Sequence, residues 1–356
     1  MRFGLFGSAQ AKRPEPGAEL TDSSQGFREW IENNVEAEAL GFHSTFVVEH
    51  HFTGFGQVSA SLNLLTWLGA RTTTLRLGTA VLVLPWHNPV LLAEQAATLD
   101  LLSAGRLDFG VGKGYRYNEF AGFAMPMEEA DGRFDESMEV ITKAFTLNEP
   151  WSHKGKYWQF DNVIVEPPPA SRPHPAIWMG AGSERSVRQV SDRGYNLLLG
   201  QHDLMDDVIR HIAQFKRDVT ANGRPYDPME VGVARAVHFA DTPEELEAAQ
   251  VRRFQGHVRI NKLAERPGDE RERFARHDDK EIRQLCDETA IFGTPDQIMA
   301  KLEKLQAGGA EYVIVNFGGS IKNIRRFAKE IMPHFASEPR LQDAGVAEQR
   351  QFAALL

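Results

Sequence analysis

The sequence predicts a (β/α)8 barrel, and three observations carry the prediction. Eight short runs rich in Val, Ile, Leu and Phe alternate with segments of helical period. Such alternation, with no long all-β stretch, gives a parallel sheet covered by helices. Polar residues and glycines gather directly after the strands, at the end where such barrels build their sites. The 356 residues exceed the roughly 250 typical of the fold, and two breaks in the pattern, after strands four and seven, account for most of the excess.

In chain order, the first strand is expected over 3–6. A helix over 24–40 follows, with Trp30, Ile31, Val35 and Ala39 at near-helical spacing. The second strand, 44–48, delivers Glu49, His50 and His51 into a turn closed by Gly54, within the run FVVEHHFTGF that ends at Phe55. A helix over 59–72 leads to the third strand, 75–84, which Pro85 ends by removing a ladder donor. After a helix over 90–102 comes the fourth strand, 106–111, running into Gly112, Lys113 and Gly114. The next helix, 131–145, carries Phe134, Met138, Ile141 and Phe145 on one face.

Residues 148–175 break the alternation. Their aromatic residues and the run Pro167, Pro168, Pro169 predict a β-hairpin excursion with a Pro-rich return. The fifth strand, 176–179, enters the turn GAGSERS at 180–186, with a helix over 186–193. The sixth strand is 195–199, with a helix over 203–222. The seventh is 231–239, after which Thr242 and Glu245 form a capping box. The second break falls within 250–290, and its charged stretch 262–284 reads by composition as a solvated helix or loop. Thr294, with Pro295 at the first turn, starts a helix that runs to Gly308. The eighth strand is 312–317 and a helix over 320–335 closes the unit. One domain over 1–338 is expected, with 339–356 as a tail.

Composition excludes several function classes. With 40 basic and 49 acidic residues the formal charge is −9, which gives no electrostatic reason to expect nucleic acid or an anionic membrane as partner. A single cysteine, Cys286, forms no internal disulfide, and cytoplasm is the expected location. The thiol has no recognisable partner. No apolar run approaches the roughly 20 residues of a membrane helix.

Two imidazoles and a carboxylate at a strand end raise the question of a metal. Adjacent strand residues point to opposite faces, so His50 and His51 share one ion only if the chain bends sharply. No metal is expected; a polar active-site wall and a structural pair of histidines remain. In the turn after strand five, Gly182 permits close backbone approach, and Ser183 and Ser186 offer hydroxyls at a helix start. Free N–H groups and the helix dipole suit a phosphate there, although Gly182 also serves as a packing glycine. Lys113 and Arg133 are cations placed to reach the same anion, or surface residues. GVGKG matches neither nucleotide fingerprint.

The run EHHFTGFG, then LGTAVLVLP, GRLDFGVGKG, the glycine-rich turn and FGTPDQIM closely resembles the bacterial luciferase-like flavin monooxygenases, the alkanal-oxidising luciferase α subunit in particular. The resemblance spans about 3–335. It implies a TIM barrel that binds FMNH2 supplied by a separate NAD(P)H:flavin reductase and reacts it with O2 to a C4a-peroxyflavin. The oxidised substrate is then a small, apolar organic molecule such as an aldehyde or ketone. It assigns His50 as the catalytic acid/base, Glu49 as a flavin neighbour and His51 as part of the same wall. Apart from the resemblance, Phe6, Trp86 and Phe317 at strand ends suggest an apolar substrate pocket, although core packing explains them as well. The resemblance places a non-proline cis peptide beneath the flavin on Ala80 and Val81, and the phosphate site on Lys113, Arg133, Ser183 and Ser186, beside Gly182 of the same turn. It also implies a lid over 250–290 and a homodimer, or a dimer with a related subunit. The chain departs from that luciferase at Gly112 and Lys113, where the latter has a reactive cysteine and an arginine. Rival readings are an F420-dependent oxidoreductase on the same barrel, a metal-dependent hydrolase and a non-catalytic flavin-binding protein.

Overall fold

The computed structural model describes residues 1–11, 24–54, 56–264 and 279–336; the expected tail 339–356, Phe55 and the middle of the second break lie outside them. Eight strands form the barrel: β1 (Arg2–Gly7), β2 (Ser44–Val47), β3 (Arg76–Thr79), β4 (Leu107–Gly112), β5 (Ala176–Gly180), β6 (Asn196–Leu199), β7 (Val231–Phe239) and β8 (Tyr312–Asn316). Each runs parallel to its neighbours. The ring closes as β8 pairs with β1, Gly4 opposite Ile314, and β7 with β6, Gly232 opposite Leu198.

The helices are α1 (Gln25–Ala39), α2 (Ser61–Gly69), α3 (Pro89–Leu102), α4 (Tyr117–Gly122), α5 (Ala130–Thr146), α6 (Glu184–Asp192), α7 (Met205–Ala221), α8 (Pro243–Ala264), α9 (Asp279–Thr289), α10 (Pro295–Ala307) and α11 (Ile321–Glu330). Local chemistry starts several of them. Asn88 caps α3 by accepting the Val90 and Leu91 N–H groups at 3.1 and 3.2 Å, with Pro89 at the first position. Gln297 reaches back to the Thr294 N–H at 2.9 Å to start α10. Among the described helices none is long and apolar enough to cross a membrane.

Strand alternation divides the core in two. Leu77, Phe109, Val111, Leu197, Val233 and Val313 face outward into the layer beneath the helices, while Phe46, Trp178, Leu198, Tyr312 and Ile314 fill the barrel, joined by Phe6, Ala80 and Val81. Gly78 admits the Phe46 ring; a Cβ there would lie 2.4 Å from it. At the N-terminal end of the lumen Arg76 grips Asp108 through two bonds of 2.9 and 2.7 Å, and the Trp178 indole N–H donates to the same carboxylate at 3.0 Å. This plug closes one end, leaving the C-terminal end for a site.

The structure corrects several expectations. The third strand does not run unbroken over 75–84: β3 stops at Thr79, a two-residue strand Leu82–Val83 resumes, and Leu84–Trp86 is a 3-10 turn. A strand Ile291–Gly293, not anticipated, pairs with the end of β7. α4 was likewise missed. The excursion after strand four is a hairpin of Trp151–Lys154 and Gln159–Val163, as expected.

Candidate active site

β2 carries the Glu49–His50–His51 run to the C-terminal rim. Glu49 is 2% exposed, and its carboxylate is fully engaged by the protein. Oε2 accepts the Val83 N–H at 2.7 Å, and Oε1 faces His87 Nε2 at 2.7 Å and His51 Nε2 at 3.0 Å. An ionised carboxylate only accepts, so both imidazoles carry their proton on Nε2. Burial raises the Glu49 pKa, but the bonds from His51 and His87, the His87 charge and the Val83 N–H outweigh it and hold it below the usual carboxylate range.

The bond to Val83 fixes an irregular stretch. Gly78 stands opposite Asp108 and Leu82 opposite Val111, so four steps along one strand face three along the other. The extra residue is a bulge, and within it the Ala80–Val81 peptide is cis, at the position expected from the resemblance. Thr79 Oγ1 replaces the missing ladder, donating to the Gly110 carbonyl at 2.7 Å and accepting its N–H at 2.9 Å. Gly112 faces this bulge directly: a Cβ there would meet Val81 Cγ2 at 2.4 Å.

His50 is held from a residue that the sequence reading missed. Glu119, on α4 and 2% exposed, places Oε1 3.1 Å from His50 Nδ1 and accepts the His51 N–H at 2.9 Å with the same oxygen. His50 therefore keeps its proton on Nδ1 and presents Nε2 as an acceptor. Gly56, with φ +62°, makes room for the ring; a Cβ there would lie 2.9 Å from His50 Cδ2. Burial lowers the His50 pKa, Glu119 raises it and the Arg116 charge lowers it again, for a net value below the ordinary one. His50 is neutral near pH 7. Arg116, 1% exposed, lies 3.9 Å from Glu119, and its Nε and Nη1 have no hydrogen-bond partner in the protein.

His51 and Trp86 come together, with Phe52, Phe120 and Phe123, in one aromatic wall. His51 meets Trp86 and Phe123 edge-on at 5.4 and 4.8 Å between ring centroids, and Trp86 meets Phe120 at 5.3 Å. Trp86 Nε1 is buried without a partner. Phe6 does not join this wall; it packs inside the barrel with Ala80 and Val81.

The expected anion ligands are arranged less simply. Lys113 pairs with Asp131 at 2.8 Å and lies over the Phe134 ring, while Arg133 pairs with Glu129 at 2.8 Å and stacks on Tyr157. Ser183 and Ser186 bond each other at 2.8 Å in a capping box that starts α6 at Glu184. Gly182 beside them is exposed and faces Asp203. Thus each of the two cations and each of the two hydroxyls already has a partner in the protein.

α8 leans over the rim, where Arg259 donates to the Gly54 carbonyl at 3.2 Å. Cys286 is buried on α9, and burial pushes its thiol pKa up. No cluster of three or more metal-ligating side chains is arranged to hold an ion among the described residues.

A family model described as luciferase-like monooxygenase matches residues 1–312. The chain is 25% identical to the oxygenase component of a flavin-dependent trigonelline monooxygenase of Acinetobacter baylyi, over 94% of this chain and 96% of that protein. It is 27% identical to an FMNH2-dependent dimethylsulfone monooxygenase of Pseudomonas putida, over 83% and 85%. An uncharacterised protein of Sinorhizobium fredii is 28% identical over 63% of this chain and only 64% of its own length. A monooxygenase structure from Streptomyces bottropensis superposes with TM-score 0.78 at 25% identity, covering 94% of this chain and all of that one. An F420-dependent secondary alcohol dehydrogenase superposes at 0.72 with 16% identity, covering 94% and 99%, a likeness of fold alone.

Proposed function

The chain belongs to the luciferase-like monooxygenase family, and on that premise we propose that it is the oxygenase component of a two-component flavin monooxygenase. It takes FMNH2 from a separate NAD(P)H:flavin reductase and oxidises a small organic molecule, of the aldehyde or ketone kind, with O2. The observation that carries this reading is His50, oriented by Glu119 and kept neutral by burial at the barrel end where Glu49 also fixes the Ala80–Val81 bulge.

The residues fit reduced FMN. Arg116 Nε and Nη1 and Trp86 Nε1 are buried donors without partners, suited to the carbonyl oxygens and ring nitrogens of an isoalloxazine. Ala80 and Val81 offer it a peptide face, and Glu49 holds that face in place. Lys113 and Arg133 take the phosphate by exchanging Asp131 and Glu129 for it, while Gly182, Ser183, Ser186 and the free N–H groups at the start of α6 complete the cradle. Bound FMNH2 supplies two electrons, so that one oxygen atom of O2 enters the substrate and the other leaves as water. His50 accepts or returns the proton at Nε2. Trp86 and His51, with Phe6 below them, bound the apolar part of the substrate and exclude water. α8, which reaches the rim through Arg259, serves as the lid over the single domain proposed for 1–338.

The exposed face of α2 and α3 is the proposed subunit contact. Trp67 on α2 is 67% exposed, Leu91, Leu101 and Leu102 on α3 are exposed, and a groove lined by Leu62, Trp67, Ala70, Thr98, Arg71 and Glu94 runs between the helices. A second copy or a related subunit covers it. The compartment proposed is the cytoplasm, where a reductase supplies FMNH2.

Turnover assays test the reading. With NADH and FMN, product must require both added reductase and O2. Product under strict anaerobiosis with reduced F420 selects the deazaflavin reading instead, and tight flavin retention without oxygen consumption selects a binding protein.

A further inference from the structure

The oxidation site uses the ends of β2 to β5. Further round the same rim, the ends of β6 and β7 and the overlying α8 enclose charged side chains that it leaves unused. Arg235, on β7 and 1% exposed, donates through Nη1 to the carbonyls of Gly200 and Ala234 at 2.8 and 2.9 Å. Its Nη2 has no partner in the protein. Arg253, on α8, donates through Nη2 to the Gln201 carbonyl at 3.0 Å and to His202 Nδ1 at 3.2 Å, leaving Nε without a partner. Because His202 accepts at Nδ1, its proton is on Nε2, a further donor. His238 stacks on Phe292, and its Nε2 also has no partner.

Acidic compensation is thin. The carboxylate that acts on Arg235 is Asp203, which accepts the Gly200 N–H at 3.1 Å and whose own pKa burial raises. The Cys286 thiol is the acidic group that acts on Arg253. The field shows on the neighbours: burial, with Arg253, His257 and Arg235, takes His202 down to about 3, and burial takes Arg235 down to about 10 despite Asp203. A guanidinium held out of water on carbonyls, with an N–H unspent, is unfavourable unless an anion completes it.

We propose that Arg235, Arg253 and His202 form a cradle for an oxyanion, a carboxylate or sulfonate group that the organic substrate carries at the end opposite its reacting carbon. The planar guanidinium donors match a two-oxygen acceptor. Gln201, whose side chain lies 3.4 Å from Asn316 at the end of β8, sits at the boundary between cradle and barrel mouth. The assignment to substrate rests on the oxygenase reading above; the anion site itself does not.

The test is isothermal titration of the full chain with sodium benzoate, sodium sulfate and neutral benzamide, at constant ionic strength. Benzoate is expected to bind saturably, and benzamide not to. Arg253→Gln and Arg235→Met should each weaken benzoate about tenfold or more, with FMNH2 binding unchanged, and Lys113→Met should leave benzoate binding intact. If Arg235→Met fails to fold, Arg253→Gln, on the half-buried outer helix, decides. Absence of saturable benzoate binding overturns the proposal, as does loss in Lys113→Met with retention in both arginine variants, which would assign the anion to the other cradle. Sulfate binding as tightly as benzoate would overturn the assignment to an organic substrate and indicate a free inorganic anion. A chain that binds benzoate through Arg235 but no FMNH2 would sink the flavin reading while leaving the anion site standing.

Discussion

One oxygen of Glu119 serves two consecutive residues: Oε1 lies 3.1 Å from His50 Nδ1 and accepts the His51 N–H at 2.9 Å. The side chain thereby sets both the tautomer of His50 and the path of the chain that carries it. His50→Ala is expected to lower the rate of product formation by roughly 10²–10⁴, and with it the product formed per flavin oxidised, with FMNH2 affinity changed by less than a few-fold. Glu119→Gln should give a smaller loss with a shifted pH profile. Equal loss of flavin binding and product in His50→Ala would make the residue structural.

Gly112 has no room for a side chain, since a Cβ would stand 2.4 Å from Val81 Cγ2. Gly112→Ala must push the bulge, at a cost of about 1–3 kcal/mol for overpacking. Weaker FMNH2 binding with a lower urea midpoint is expected. A variant that binds FMNH2 like the parent would show that the bulge does not touch the flavin.

Lys113 and Arg133 are the cations assigned to the phosphate, so the discriminating ligand is riboflavin. Lys113→Met should weaken reduced FMN by about tenfold or more, the worth of a charge-assisted bond, while reduced riboflavin is unaffected. Fluorescence titration reads both. An equal loss for the two ligands would remove Lys113 from the phosphate site.

Acid should destabilise the fold well above the carboxylate range. Burial depresses His50, His202 and His238, the last two to about 3 and about 4, whereas the unfolded chain titrates them near 6.5. As pH falls below about 6.5 the unfolded state therefore binds these protons first, so stability falls, by up to about 1.4 kcal/mol per pH unit for each such histidine. Glu49, depressed in its own range, adds a loss of the same sign as pH falls through about 4.5 and below. Urea midpoints measured from pH 7.5 down to 4.5 should decline, and His238→Asn should flatten the slope. A flat profile in the parent protein would contradict the neutral, buried histidines.

Much of this was legible in the sequence because it follows from periodicity and from residue type at strand ends. β7 was read to the residue, and the position of Glu49, His50 and His51 at a strand end required only the apolar run before them. The split of the third strand was not legible by those means, since Leu82, Val83 and Leu84 continue a strand-like pattern through the bulge; the resemblance, not the pattern, pointed to Ala80 and Val81. Glu119 escaped because α4 is six residues long, too short for a helical period, and its partner lies 69 positions away. The sequence reading offers the hydroxyls of Ser183 and Ser186 to an anion, and the structure pairs them in the capping box that starts α6. Arg235 sat in a strand among valines, and its buried, unspent N–H is a tertiary fact.

The central claim is that this barrel end binds FMNH2 and governs its reaction with oxygen. Anaerobic titration of the purified chain with FMNH2, followed by mixing with oxygenated buffer and recording of flavin absorbance, tests it most directly. The account predicts saturable binding and reoxidation of the bound flavin much slower than that of free FMNH2 in the same buffer. Reoxidation at the free-flavin rate despite demonstrated binding, or binding of reduced F420 in place of FMNH2, would contradict it.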